Sequence, residues 1–283
     1  MHVTIFGYGS QGRAHALNLS ESGWDITVVL RPESPSISIA KQDGVEVITD
    51  AISTACKTEI CALLLPDLAQ PELWREVLVT HLPTNSAILF AHGYAIHYGL
   101  ITPRADLDII LAGPMCPGTE LRNRYVARDS VPIVTAIQQD HSGHAAERLR
   151  AYVDGITGGR HDVIESTFAE ETETDLFSEQ ALLCGGLGYL VQAVYELLVE
   201  AGYNPKLAHY TAMTEPVNLA RLIAAHGVDG MLDRISHVAR YGARTRGPRI
   251  IDTRVRQTLR TILAEIRSGS FQRELAEATK TQS

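Results

Sequence analysis

Residues 7–12, Gly7-Tyr8-Gly9-Ser10-Gln11-Gly12, carry the spacing GxGxxG, which suits the grip of a pyrophosphate. The first glycine allows a tight turn, the second lets the backbone approach an anion, and the third lets a helix pack close to a strand. The run follows the apolar stretch Val3–Phe6 and opens a helix predicted from about Gln11 to Ser22, so unpaired helix N–H groups would face the phosphates. The alternative is a glycine turn with a structural role alone. Which dinucleotide fits depends on the end of the next strand, where an acidic residue serves the ribose hydroxyls of NAD. This chain places Arg31, Ser34 and Ser36 there, a cation and two hydroxyls suited to a 2′-phosphate, with Glu33 among them. NADPH is therefore the expected cofactor, and a solvated polar loop is the alternative.

The elements that must position these groups alternate. Strands are predicted at Val3–Phe6, Asp25–Leu30, Val45–Ile48, Ile60–Leu65, Ala87–Ala91, Ile109–Ala112 and Val131–Thr135, with a short helix near Ile37–Asp43. Ile60–Leu65 is apolar at every position, as a strand covered on both faces must be. Such alternation implies βαβ units and a parallel sheet. Beyond about Glu165 the pattern turns helical with no strand, with helices expected at Thr172–Cys184, Leu187–Ala201, Pro205–Ala225, Gly230–Tyr241 and Thr253–Ser268. The expected fold is an α/β Rossmann domain with a doubly wound parallel sheet over 1–165, then an all-α domain over 166–283. Thr279–Ser283 reads as a frayed end.

Composition narrows the partners. A formal net charge of -8 with 45% hydrophobic residues describes an ordinary soluble protein and argues against nucleic acid as a partner. Cys56, Cys61, Cys116 and Cys184 lack metal or disulfide spacing, which points to reduced thiols in the cytoplasm. A strand begins at once, leaving no room for a signal peptide. Ala181–Leu198 is apolar, but Gln192, Glu196 and three glycines make it read as a buried helix rather than a membrane span.

Further segments carry a family resemblance. Gly7–Gly12 with His15-Ala16-Leu17-Asn18-Leu19, Leu64-Leu65-Pro66-Asp67 with Gln70, and Phe90-Ala91-His92-Gly93 with Ile96-His97 resemble ketol-acid reductoisomerase of the short form. So do Glu170-Glu171-Thr172-Glu173-Thr174-Asp175-Leu176-Phe177-Ser178-Glu179-Gln180, Leu182–Gly186, Glu200–Tyr203 and Gly247-Pro248-Arg249. The resemblance spans nearly the whole chain, which is shorter than usual for the family at both ends. It implies a knotted helical domain, a homodimer with shared active sites, a small oxo-acid substrate and no membrane. The family reaction is an alkyl migration in a 2-aceto-2-hydroxy acid, then hydride transfer from NADPH, assisted by two magnesium ions.

Carried over residue by residue, the resemblance gives Tyr8, Ser10, Gln11, Leu65, Pro66, Asp67, Gln70, His92 and Gly118 to the cofactor beside the three glycines. It makes Asp175, Glu179 and Glu215 magnesium ligands, and His92, Glu215 and Ser236 catalytic. Spacing of four puts the Asp175 and Glu179 carboxylates on one helix face, although two solvated acids would look the same. The chain departs from the family at Thr211, where a further metal-binding carboxylate stands, and at Met115, where a lysine stands. Pro216 follows Glu215 and removes a backbone donor. These departures imply one magnesium ion with a weakened second site, unless Glu173 is recruited.

The expected activity is NADPH-dependent reduction of a small 2-keto (oxo or imino) acid, with isomerase activity weak or lost. One alternative is an authentic acetolactate reductoisomerase of branched-chain amino-acid biosynthesis with a rearranged metal site. Another is an inactive NADPH-binding protein.

Overall fold

Eight strands form one sheet: β1 (His2–Phe6), β2 (Asp25–Val29), β3 (Val47–Ile48), β4 (Ile60–Leu63), β5 (Ala87–Phe90), β6 (Asp108–Pro114), β7 (Val131–Gln139) and β8 (His161–Glu165). Their order is β3-β2-β1-β4-β5-β6-β7-β8. The structure, a computed structural model, describes residues 1–280 and divides after Thr172 into two compact units. All pairs in the sheet are parallel except β6 with β7. The chain leaves β1 for β2 on one side and returns to β4 on the other. This reversal opens a crevice at the carboxyl ends of β1 and β4, where the glycine turn lies.

Burial follows the apolar runs. Every residue of β4 and β5 is buried. The sheet is flanked by α1 (Ser10–Glu21), α2 (Ser36–Gln42), α3 (Ala51–Ala55), α4 (Gln70–Leu73), α5 (Val79–His81), α6 (Tyr94–His97), α7 (Gly118–Ala127) and α8 (Ala145–Thr157). A π turn at Trp74–Leu78 joins α4 to α5. Two side chains fasten α1 to α8: His15 Nδ1 lies 2.9 Å from the Tyr152 hydroxyl, and Asn18 Nδ2 donates to the Ile156 carbonyl at 2.8 Å. Burial pushes His15 down to about 3, so its ring is neutral and packs as a polar core residue.

The second unit is helical: most of α9 (Phe168–Ser178), then α10 (Gly188–Glu200), α11 (Pro205–His209), α12 (Pro216–Leu232), α13 (His237–Ile250), α14 (Thr253–Arg267) and α15 (Ser270–Lys280). The predicted break at Gly185-Gly186 is corrected. The helix runs on from Phe168 to Glu200 through a π segment, Glu179–Leu187. A Cβ at Gly185 or Gly186 would strike the carbonyl of Gln180 or Ala181, so the two glycines permit the wider turn. A second π segment, Tyr210–Thr214, leads into Pro216. Proline cannot donate to the preceding turn, and widening to the Glu215 N–H···Tyr210 bond of 3.1 Å accommodates it.

The predicted helix Gly230–Tyr241 is corrected too: α12 ends at Leu232 and α13 starts at His237, capped by the Ser236 hydroxyl. Thr279 and Lys280 close α15, and 281–283 lie outside the described residues. Nor is Ala181–Leu198 buried within the chain. Tyr189 and Leu197 are 76% and 65% exposed, and the only buried large or small apolar side chains of this unit are Leu176, Ala208, Ala212 and Ile266 among the described residues.

One buried charge ties the first unit together. Asp108, fully buried at the start of β6, accepts from the N–H groups of His141 and Ser142 at 2.9 Å each. It also accepts from the Ser142 hydroxyl and from Arg148 of α8, both at 2.6 Å. Burial alone would raise its pKa, but these donors outweigh burial and hold it below the usual value. Its stabilisation is thus present above the unfolded value near pH 3.9 and fades as pH falls below it. Asp108→Asn is expected to cost about 3 kcal/mol in urea unfolding at pH 7, because Arg148 loses its counter-charge. The variant should also lose less stability than the parent as pH is lowered below about 4, measured by the same titration.

Candidate active site

The glycine turn is set by backbone contacts that leave no room for side chains. Gly7 has φ 108, and a Cβ there would lie 2.6 Å from the Leu64 carbonyl oxygen beside β4. A Cβ at Gly12 would lie 2.5 Å from the Gly7 oxygen. Gly9 differs: a Cβ there would meet nothing within 4 Å, so its open side is where an anion can approach. No side chain caps the N-terminus of α1, which leaves its first N–H groups for a ligand. A Cβ at Gly118 would strike Ser10, so α7 begins directly against the turn. Gln11 Nε2 donates to the Cys116 carbonyl at 2.9 Å, while its Oε1 is buried without a hydrogen-bond partner.

The Tyr8 hydroxyl donates to Asp43 at 3.0 Å, and Arg13 grips the same carboxylate at 2.7 and 2.8 Å. Arg31 is exposed after β2, and the Ser34 N–H donates to the Arg31 carbonyl at 3.0 Å. Ser36 opens α2, its N–H 3.4 Å from the Ser34 hydroxyl. One tight turn therefore carries all three residues.

The ends of β4 and β5 make the other half. Asp67 follows Leu65 and Pro66, and Gln70 Nε2 donates to the Leu65 carbonyl and to Asp67, both at 3.1 Å. Burial, with Glu171 nearby, raises the Asp67 pKa, and His92 opposes this. His92 Nδ1 lies 2.9 Å from Glu171 Oε1, while the Gly93 N–H donates to Glu171 Oε2 at 2.7 Å. A Cβ on Gly93 would sit 2.6 Å from the Phe168 carbonyl, so this loop fits against the start of α9 only as glycine. Held against a carboxylate, Nδ1 carries a proton and donates to Glu171. Glu171 is the site residue that the sequence pattern does not single out. It stands in an acidic run, and nothing in its residue type separates it from the acids around it.

In the second unit Asp175 and Glu179 are exposed, straddling the junction of α9 with its π segment. Carboxylate oxygens are the hard donors that magnesium takes. Thr211 and Glu215 are exposed at the other π segment. No group of three or more His, Cys, Asp or Glu side chains gathers for a metal among the described residues, so Glu215 does not join the first pair within one chain. Glu173, the possible recruit to the metal, pairs with Arg267 at 3.4 Å. The Ser236 hydroxyl accepts from the Ala239 N–H at 3.2 Å. Met115, 59% exposed, follows β6 with its side chain toward solvent.

Residues 1–162 match the family described as acetohydroxy acid isomeroreductase, NADPH-binding domain. Residues 168–283 match the ketol-acid reductoisomerase C-terminal domain. The chain is 44% identical over 271 residues to a ketol-acid reductoisomerase (NADP(+)) from Xanthomonas oryzae pv. oryzae, covering 95% of this chain and 80% of that protein. A protein of the same name from Xylella fastidiosa is 44% identical over 96% of this chain and 77% of its own length. Among solved structures, an NADH-preferring ketol-acid reductoisomerase from an uncultured archean superposes with a TM-score of 0.93 at 34% identity, over 99% of this chain and 86% of that one.

The carboxylate behind His92 gives a direct test. Glu171→Gln keeps the shape but offers one acceptor oxygen to two donors, so one bond is lost. The expected cost is about 2 kcal/mol in chemical unfolding, with turnover of NADPH falling more than its dissociation constant rises.

Proposed function

The chain belongs to the ketol-acid reductoisomerase family, and from that premise we propose that it is an NADPH-dependent reductoisomerase of a 2-aceto-2-hydroxy acid such as acetolactate. The observation that carries this reading is likeness along both domains, at 44% identity over 95% of the chain. The expectation of a reductase that has lost migration finds no support in the relatives, which are reductoisomerases.

Bound here, NADPH supplies the hydride, and magnesium polarises the substrate oxygens. The residues divide the remaining work. Gly7, Gly9, Gly12 and the α1 N-terminus hold the pyrophosphate, with Ser10, Gln11 and Gly118 shaping the turn. Arg31, Ser34 and Ser36 hold the 2′-phosphate, which favours NADPH over NADH. Leu65, Pro66, Asp67 and Gln70 border the nicotinamide half. Glu171 orients His92 there. Asp175 and Glu179 hold the ion, Glu215 reaches it from a second copy of the chain, and Ser236 offers a hydroxyl to the substrate carboxylate. Tyr8 supports the cradle through Asp43 rather than by touching the ligand.

A second copy is also what the apolar helices require. Tyr189, Leu197 and Val238, at 76%, 65% and 81% exposed, are among many large apolar side chains of the second unit that face solvent in one chain. A surface of that kind marks an interface, and a homodimer that joins Glu215 of one chain to Asp175 and Glu179 of another would complete the metal ligands. The free thiols Cys56, Cys61, Cys116 and Cys184 suit a reducing cytoplasm.

One observation favours a second reading, reduction without migration: Thr211 offers a neutral hydroxyl beside Glu215 where the family has a carboxylate. Migration leans harder than reduction on a second ion, since an alkoxide and a ketone must be stabilised together. NADPH oxidation with magnesium separates the two. Turnover of both acetolactate and a 3-hydroxy-2-keto acid is the expected result, with little change on Thr211→Glu and Met115→Lys. Turnover of the hydroxy-keto acid alone would establish the second reading instead.

The dimer has its own test. At a solvated position a charge costs within about 0.5 kcal/mol, so Leu197→Lys would be silent on a free surface. The expected outcome is a dimer by sedimentation at micromolar protein, dissociated by Leu197→Lys with loss of magnesium-dependent turnover.

A further inference from the structure

Two polar atoms at the ends of neighbouring strands β4 and β5 are buried without a hydrogen-bond partner, and they are of opposite kind. The Tyr94 hydroxyl is one: the residue is 3% exposed at the start of α6, and its oxygen has no partner. Gln70 Oε1 is the other, on a side chain equally buried. The orientation of the Gln70 amide is fixed, because its Nε2 donates to a carbonyl and a carboxylate, which only an NH2 group can do. What remains is an acceptor. Tyr94 is a donor: burial, with Tyr98 and Asp67 nearby, pushes its phenol up to about 12, so it keeps its proton at any working pH. Its ring stacks on His92 at 6.0 Å with planes 28° apart and meets Tyr98 edge-on at 5.0 Å, so the hydroxyl is held rather than swinging. The helix that carries it packs on the turn Asp67–Ala69 next to Gln70.

Leaving a buried polar group unpaired is destabilising, and two of opposite kind, on segments that pack together beside the crevice, can be satisfied by one ligand. We propose that Tyr94 and Gln70 together recognise the carboxamide of the nicotinamide ring, Tyr94 Oη donating to its carbonyl oxygen and Gln70 Oε1 accepting from its NH2. A primary carboxamide presents one acceptor and one donor side by side, which is the complement of this pair. Position agrees with it. The pyrophosphate lies at the end of β1, and strands are about 4.8 Å apart, so the end of β5 is about 10 Å further along the crevice. The 2′-phosphate group of residues, after β2, lies on the opposite side. The nicotinamide half of an extended dinucleotide spans that distance. This assignment rests on the reading of the crevice as a nicotinamide dinucleotide site and adds Tyr94, to which neither the sequence pattern nor the resemblance gave a role.

The test compares Tyr94→Phe with the parent, using NADP+, the 3-acetylpyridine analogue of NADP+ and adenosine 2′,5′-bisphosphate as probes. Losing an unpaired hydroxyl should leave the ligand-free melting temperature unchanged or slightly higher. The dissociation constant of NADP+ should rise about five- to tenfold, the value of one hydrogen bond, while that of the bisphosphate, which has no nicotinamide, should not move. In the unmodified protein the acetylpyridine analogue keeps the carbonyl but lacks the NH2, so it should bind more weakly than NADP+. Its affinity should then fall by the same factor as that of NADP+ on Tyr94→Phe. Equal NADP+ affinity in parent and variant overturns the Tyr94 assignment, as does a rise in the oxo-acid KM alone, which would give the hydroxyl to the substrate. Equal binding of NADP+ and the acetylpyridine analogue overturns the Gln70 half, with no variant needed. Failure of the parent to bind any of the three probes would instead remove the cofactor reading beneath the proposal.

Discussion

The first unit depends on the close approach of three backbone segments around Gly7. The turn after β1 lies against the Leu64 carbonyl on one side and folds back on itself at Gly12, while α7 abuts Ser10 through Gly118. None of these contacts tolerates a Cβ, so the geometry is enforced by exclusion rather than by attraction. Because backbone meets backbone, the turn cannot shift without moving β4 and α7 together. That rigidity is what a pyrophosphate site needs: the N–H groups at the start of α1 are held in place before any ligand arrives. Gly9, the one glycine of the three with open space around it, is the side left for the ligand.

The second unit follows a different rule. Its helices bury little within one chain, and both π segments fall where carboxylates or their replacement stand, at Glu179 and around Thr211. A π turn widens a helix and re-aims the side chains at its edges. At Gly185 and Gly186 the absence of side chains makes the widening possible, and before Pro216 the missing N–H makes it necessary. The same local irregularities that spoil helical periodicity therefore set the direction of the proposed metal-binding groups.

These particulars explain what was legible in the sequence. The glycine turn, the βα alternation and the continuous apolar strands could be read because period and burial leave direct marks on residue type. β8 carries no apolar run at its exposed edge position, whereas α8 keeps Ala145, Leu149, Tyr152, Val153 and Ile156 at helical spacing and is legible from its periodicity. The glycine pair at 185–186 predicts a break, since glycine marks helix ends and helix widenings alike. Glu171 could not be told from Glu170 or Glu173 by composition; only the fold puts one behind His92, another beside Arg267 and leaves the third near Ser166. Tyr94 was invisible for a related reason. A tyrosine with an unpaired hydroxyl and one with a satisfied hydroxyl are the same letter.

The two departures from the family's pattern, Met115 and Thr211, bear on the reaction through charge. A lysine replaced by methionine removes one positive charge from the first unit, and a carboxylate replaced by threonine removes one negative charge from the second. Electrostatic stabilisation of an anionic intermediate depends on the sum of nearby charges as well as on each contact. Loss of a carboxylate leaves a cation site more positive and less able to hold a second ion. At contact distance a hydroxyl and a thioether stand where the family's pattern has an ion ligand and a donor. On the proposed reading, hydride transfer would rest on the geometry at His92 and the nicotinamide, and alkyl migration on the contacts at Met115 and Thr211. The two halves of the reaction would then be separable in this chain, with the metal ligands rather than the cofactor residues deciding between them.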